Sequence, residues 1–173
     1  KSTHERSDEE GYSWYYEVTD VGYKYFMNDL SAGMGLAQLE RLPETRAQRN
    51  QVANAFDEAF ADLDWVVPLT HKEGTTHARY NYTVRVPASH RDSLIAHLTE
   101  HDVGASVHYM PLYKHPVFDG DDTQLRATEA VWEQIVTLPM SSTFSEADVA
   151  TVVDTVTAYA ADRQLGAPDA VSL

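Results

Sequence analysis

The sequence contains no cysteine, which excludes disulfides, thiolate nucleophiles and thiolate metal sites and fits a reducing, cytoplasmic setting. It is also poor in lysine: of 13 basic residues, lysine stands only at positions 1, 24, 72 and 114. Set against 27 acidic residues, this leaves a formal net charge of −14. Such a surface repels phosphate backbones and argues against nucleic acid as a partner. It suits either a plain solvated coat or a halophilic protein from a salt-rich cytoplasm, where acidic surfaces preserve solubility despite screening. No window approaches the ~18 consecutive apolar residues of a membrane span. The opening "KSTHERSDEE" is charged and unlike a signal peptide. No GxSxG, GxxxxGK[ST] or GxGxxG motif occurs, so nucleophile elbows, P-loops and dinucleotide fingerprints lack their sequence signature. The chain does not open with Met and begins inside a charged run, as a fragment of a longer protein would.

What is present supports a packed core. Hydrophobic residues make up 43% of 173 residues, enough for one domain or a little more. Residues 1–11 read as a loop, and "YSWYYEV" (12–18) as an aromatic, β-prone run. Asn28 or Asp29 is placed to cap a helix over 29–41 with Leu30, Met34, Ala37 and Leu39 as apolar positions. Ala32, Gly33 and Gly35 thin one face of it, as a close backbone approach would require. Pro43 fits the first turn of a second helix over 44–63, with Val52, Phe56, Phe60 and Leu63 on one face.

From residue 65 the pattern changes. "WVVPL" (65–69) and "YNYTVRV" (80–86) read as strands, with a turn at Gly74 and with Tyr80, Tyr82, Val84 and Val86 on one face. Ser89 with Asp92 is the expected capping box of a helix to His101, which carries Leu94, Ile95 and Leu98. "ASVHYMP" (105–111) is the expected third strand. A helix over about 124–135 and a last one over 146–162, capped by Ser145 and Asp148, complete the series; the latter buries Val149, Val152, Val153, Val156 and Tyr159. The fold class is α+β: long helices leading into a small, mainly antiparallel sheet with helices packed on one face. The expected parts are an N-terminal block 1–63, a small domain 64–165 and a frayed tail 166–173.

Three groups of residues bear on chemistry. His97 and His101 stand at HxxEH spacing, which puts two imidazoles on one helical face as in some zinc sites. No third ligand is evident and the face also carries Leu94 and Leu98, so a helix at the rim of the core is the simpler reading. "DGDD" (119–122) lacks the ligand spacing of a calcium loop, and no metal is assigned. "VHYMPLYKHPVF" (107–118) places His108, Tyr109, Tyr113, Lys114 and His115 together between stiffening prolines. That suits recognition of a hydroxyl-rich ligand, or else an aromatic loop that packs on the sheet.

"GYKYFMNDLSAGMGLAQLERL" (22–42), "RVP…RDSLIAHLTEHDVGASVHYMPLYKHPVF" (85–118) and "LPMSSTFSEADVATVVDTV" (138–156) together resemble, in order and spacing, the C-terminal part of the DegT-type nucleotide-sugar aminotransferases. These are pyridoxal-phosphate enzymes of fold type I, and the resemblance runs from about Tyr16 to Tyr159. It implies the cofactor pyridoxal 5'-phosphate and transfer of an amino group, usually from glutamate, to a keto-sugar nucleotide. It also implies a homodimer with shared active sites. The family's Schiff-base lysine lies some tens of residues before the Gly-Tyr segment, and Lys1 is the lysine that precedes Gly22 here. By resemblance, then, the chain is the C-terminal portion of a longer enzyme, is inactive by itself and carries no catalytic residue of its own.

The same resemblance assigns Lys24 to the cofactor phosphate of the neighbouring subunit, with Tyr23 and Phe26 as walls. Lys24 replaces the common Asn and Phe26 the common Arg, which touches the phosphate contact and sugar preference. It assigns His108, Tyr109 and Tyr113 to the nucleotide sugar, Tyr113 standing where His is frequent. It packs the glycine-thinned face of 29–41 on a large domain. Some relatives dehydrate a sugar, with histidine in place of the lysine. A free-standing α+β binding or regulatory module is the non-enzymatic alternative. Surface polysaccharide, glycoprotein glycan and secondary-metabolite sugars are all compatible pathways.

Overall fold

The computed structural model describes residues 4–6, 16–18, 21–23, 25–118, 125–161 and 163–171. The chain divides into two compact units, Lys1–Arg41 and Leu42–Leu173.

In the first unit, β1 (His4–Arg6) pairs antiparallel with β2 (Tyr16–Val18), His4 opposite Val18 and Arg6 opposite Tyr16. Residues 4–6 therefore form a strand where a loop was expected: a β-prone run must find backbone partners, and this segment supplies them. The first part of "YSWYYEV", residues 12–15, lies outside the described residues. Asn28 caps the next helix by accepting from the Ser31 N–H at 2.8 Å.

That helix, α1 (Asp29–Phe60), is continuous and carries Pro43 inside it, which corrects the expected break into 29–41 and 44–63. An interior proline withholds one N–H and costs ~3 kcal/mol. The flanking Ala, Leu, Gln, Glu and Arg residues are strong helix formers. Leu39, four residues earlier, is 64% exposed, so water can satisfy the carbonyl that Pro43 leaves without a partner. The early apolar positions of α1, Leu30, Met34, Leu36 and Leu39, are all exposed. A Cβ built on Gly33 or Gly35 meets nothing within 4 Å.

The later part of α1 behaves differently. Val52, Ala53, Phe56 and Phe60 are buried and belong to the core of the second unit, following the predicted periodicity of the helix. They join a three-stranded antiparallel sheet of order β3 (Val67–Pro68), β4 (Tyr82–Arg85), β5 (Ile135–Leu138). Tyr82 stands opposite Leu138 and Val84 opposite Val136, so these four buried side chains share one face. Onto the same core pack α2 (Ala88–Glu100) through Leu94 and Leu98 and α4 (Glu146–Tyr159) through Val152, Val156 and Tyr159. The α+β class inferred from sequence is the class observed.

The third strand is not 105–111. That segment makes one bridge, Ser106 to Thr137, with N–H···O contacts of 3.1 and 2.7 Å. The ladder position belongs instead to Ile135-Val136-Thr137-Leu138, a β-branched and apolar run that is buried throughout. Ile135, expected to close a helix, opens this strand; α3 ends at Gln134 (Arg126–Gln134). The Ser89–Asp92 capping box is also absent. Pro87, at φ −54°, occupies the N-cap, and the His90 N–H closes on its carbonyl at 2.8 Å, so Ser89 already lies in the first turn. The Ser145–Asp148 box is present in full. Gly74 turns the β3–β4 connection at φ 76°, a backbone region that glycine enters freely. Past α4, Leu165 packs on the core and the Arg85 guanidinium donates to the Asp169 carbonyl.

Tyr82 anchors α1 to the sheet. Its ring lies 5.0 Å from Phe56 and 6.5 Å from Phe60, and its hydroxyl donates to Asp57 at 2.6 Å. Arg79 reaches the other Asp57 oxygen at 3.3 Å. Burial first, then the Asp57 hydrogen bond and charge, hold the Tyr82 phenol far above its ordinary value against the pull of Arg79. A raised phenol pKa favours the neutral group in the fold, so its contribution is intact below about pH 10 and is lost as pH rises above that. Alkaline denaturation curves should therefore fall less steeply for Tyr82→Phe than for the wild type. Phe56→Ala should lower the unfolding free energy by about 3–5 kcal/mol in denaturant titrations; a loss below about 1 kcal/mol would contradict the anchoring role.

Candidate functional site

The sheet places the site-bearing loop. Thr137 of β5 holds Ser106 through the paired backbone contacts, and the chain then runs out through His108 and Tyr109. Their rings meet edge to face at 4.7 Å and 86°, and the peptide between them is cis. Nδ1 of His108 is buried without a hydrogen-bond partner, whereas the Tyr109 ring is 72% exposed. An unsatisfied buried nitrogen is costly unless a ligand or water completes it. A groove of about 400 Å³ opens beside this pair, lined also by Thr128, Val131 and Trp132 of α3 and by Ile135. His108 borders a second recess of about 250 Å³ with Tyr80, Asn81 and Ser106. Imidazole, phenol and indole around an open groove suit hydrogen bonding and stacking with a polar, ring-bearing ligand.

Tyr113 has a different position. It begins no wall of the groove; it sits in a 3-10 turn, Leu112–Lys114, and its hydroxyl donates to Glu129 Oε1 of α3 at 3.2 Å. Lys114 Nζ reaches the same oxygen at 3.1 Å and lies 5.2 Å from the Trp132 ring centroid. Arg91 stands 5.7 Å from that ring as well and donates to the Trp132 carbonyl at 3.2 Å. Desolvation, followed by the Glu129 charge and hydrogen bond, raises the Tyr113 phenol above its ordinary value, opposed by Lys114 and the Leu125 backbone. Sequence reasoning did not find Glu129 or give Trp132 a role at the site. Their i, i+3 spacing on one helical face opposite a Tyr-Lys pair was the available signal.

In the first unit, Tyr23 and Phe26 are 83% and 72% exposed. Tyr23 stacks on Tyr25 at 5.3 Å and 15°. Lys24 lies outside the described residues. The HxxEH pair is occupied within the fold. His97 Nε2 lies 3.2 Å from the Thr155 carbonyl and His101 Nδ1 2.8 Å from the His97 carbonyl, so both imidazoles donate to backbone. Among the described residues no group of three or more His, Cys, Asp or Glu side chains could hold a metal. "DGDD" lies outside them. No helix among the described residues is long and apolar enough to cross a membrane.

An α+β small domain with this groove and an aromatic-flanked helix entry define a class, and sequence comparison gives the family. Residues 2–157 match the DegT/DnrJ/EryC1/StrS aminotransferase family, and the chain belongs to it. A dTDP-4-dehydro-2,3,6-trideoxy-D-glucose 4-aminotransferase of Saccharopolyspora spinosa is 30% identical over 142 residues, 82% of this chain and 37% of that protein. The aminotransferase TlmJ of Streptoalloteichus hindustanus is 32% identical, with a TM-score of 0.75 over 84% of this chain and 40% of that one. Spr1654 of Streptococcus pneumoniae, solved in its PMP form, is 28% identical, with a TM-score of 0.74 over 84% of this chain and 38% of its own. The chain thus spans about two fifths of the length of the relatives it matches.

The position of Tyr113 has a spectroscopic consequence. A raised phenol pKa keeps Tyr113 neutral above about pH 10, where an unperturbed phenol would ionise. In a tyrosinate absorbance titration, Tyr113→Phe should remove one late-ionising group, and Glu129→Ala should move that group part of the way back toward the ordinary range, since desolvation remains. An unchanged late phase in both variants would contradict the contact.

Proposed function

We propose that the protein is a pyridoxal-phosphate-dependent sugar aminotransferase that moves an amino group, from glutamate, to a keto-sugar nucleotide, and that it works as a homodimer. The observation that carries this is the groove at His108 and Tyr109, with its buried unpartnered nitrogen, in a chain belonging to an aminotransferase family. The S. spinosa relative is named for a nucleotide-sugar substrate, and the S. pneumoniae protein was solved with the aminated cofactor. Both support the reading for this chain.

The residues present fit such a cofactor in their chemistry. Lys24 offers a point positive charge for a phosphate in a chain with few lysines. Tyr23 offers a ring and a hydroxyl, and Phe26 a ring, on an exposed segment. In this reading Lys24 binds the phosphate of the partner subunit's cofactor and the two rings flank it. Bound, the cofactor supplies an electron sink for proton removal at the amino-bearing carbon. His108 forms part of the groove wall that the sugar packs against, and Tyr109 covers the sugar and keeps water from it.

The lysine that holds the cofactor covalently is supplied from elsewhere than these 173 residues. Lys72 is exposed and Lys114 is engaged by Glu129, and the resemblance gives Lys1 and Lys24 no such role. The 173-residue chain by itself is then inactive. The high acidic surplus supports a salt-rich cytoplasm as the working environment.

Two measurements test this. The 173-residue chain should show no transamination of keto-sugar nucleotides with glutamate and pyridoxal phosphate; steady turnover would overturn the assignment of the missing lysine. In the whole protein, Lys24→Ala should weaken retention of the cofactor about tenfold, the loss expected for one charge-assisted hydrogen bond, read by cofactor absorbance after dialysis. Unchanged retention would remove Lys24 from the phosphate site.

A further inference from the structure

The stretch 107–114 is held at both ends, and the far anchor is a side chain the family reading leaves without a role. At the near end Ser106 is bridged to Thr137. At the far end Glu129 Oε1 takes both the Tyr113 hydroxyl at 3.2 Å and the Lys114 ammonium at 3.1 Å. Between these anchors stand His108 and Tyr109, one wall of the groove. The opposite wall is α3, which carries Glu129 itself together with Thr128, Val131 and Trp132. Lys114 touches both anchor and wall, since its Nζ lies 5.2 Å from the Trp132 ring.

We propose that Glu129 is a positioning residue that clasps the Tyr113–Lys114 turn to α3 and thereby sets the width of the groove where the nucleotide sugar binds. The substrate part of this rests on the aminotransferase function proposed above. Glu129 does not touch substrate; it acts through the loop. Lys114 and Glu129 side chains each keep 32% exposure, so a bare ion pair there would do little. The shared oxygen and the indole face give the clasp its direction: one carboxylate joins two consecutive loop residues, and the cation is also held over a ring that lines the groove. Loss of the carboxylate frees both loop contacts at once. Tyr113, assigned to the substrate from sequence, serves the site from this clasp.

The test uses the whole, cofactor-loaded protein as wild type, Glu129→Gln and Glu129→Ala. Glutamine keeps an acceptor for Tyr113 and loses the ion pair; alanine loses both. Two readouts are taken. The first is backbone hydrogen exchange across residues 109–118. The second is steady-state kinetics with glutamate and whichever of a panel of dTDP-, UDP- and GDP-linked keto sugars the wild type turns over best. Glu129→Ala should speed exchange in 109–118 while the thermal midpoint and exchange in the core strands stay near wild type. It should raise the KM for the nucleotide sugar about tenfold, as expected for a displaced wall, with kcat and the KM for glutamate changed less than about twofold. Glu129→Gln should fall between the two.

Unchanged exchange in 109–118 would overturn the clasp. Faster exchange with an unchanged KM would overturn its role in setting the groove, and so would equal losses in kcat and in both KM values. If the wild type aminates none of the panel sugars, the functional reading fails, and the exchange experiment alone decides whether the clasp exists.

Discussion

The contact on which the rest depends is the seating of α1 against β4 through Phe56, Phe60 and Tyr82. Each of these rings is at most 2% exposed, and burying a large apolar side chain contributes roughly 1.5–3 kcal/mol. Asp57 then fixes the Tyr82 hydroxyl at 2.6 Å, so a buried phenol that would otherwise lack a partner becomes a locating pin. Its register carries outward. Tyr82 stands opposite Leu138 and Thr83 opposite Thr137, and Thr137 holds Ser106 on the far edge of β5. From Ser106 the chain reaches His108 and Tyr109 within three residues. A change at the α1–β4 contact would thus be felt at the groove through the sheet, without touching either residue.

Much of this was legible in the sequence where one element had to satisfy one pattern. The Ser145–Asp148 box and the helical spacing of Val52, Phe56 and Phe60 each had a single good solution. The alternation of Tyr82, Val84 and Val86 did too, but Tyr80, expected on the same face, is 70% exposed and lies outside the strand. The failures came where two segments competed or where solvent changed the cost. "ASVHYMP" has the look of a strand, whereas Ile135 reads as the end of a helix; that 135–138 is what pairs with β4 is a long-range matter. Pro43 reads as a helix start, yet on an exposed face its missing hydrogen bond is left to water. Ser89 followed the capping pattern, but Pro87, two residues earlier, had already opened the helix. At the site, the adjacency of His108 and Tyr109 was visible in the chain. The capture of Tyr113 by Glu129 was not, because it depends on how α3 is turned toward the loop.

Scarcity of lysine gives the remaining lysines more weight. In a chain of net charge −14, an isolated surface cation has many acidic neighbours and little specificity, and salt screens such pairs beyond about 8 Å at physiological ionic strength. Lys114 escapes this by lying between Glu129 and the aromatic faces of Trp132 and Tyr113. Lys24, flanked by Tyr23 and Tyr25, has the same kind of aromatic neighbourhood in sequence. In the proposed function one lysine shapes the groove and the other holds an anion. Both tasks need a localised charge that persists in salt.

The central claim is that these residues serve a pyridoxal-phosphate aminotransferase whose covalent lysine lies elsewhere. Borohydride reduction of the whole protein with bound pyridoxal phosphate, followed by intact mass and peptide mapping, tests it most directly. The account predicts one cofactor per chain, attached to a lysine other than Lys1, Lys24, Lys72 and Lys114. Attachment at any of those four, or no attachment at all, would contradict it.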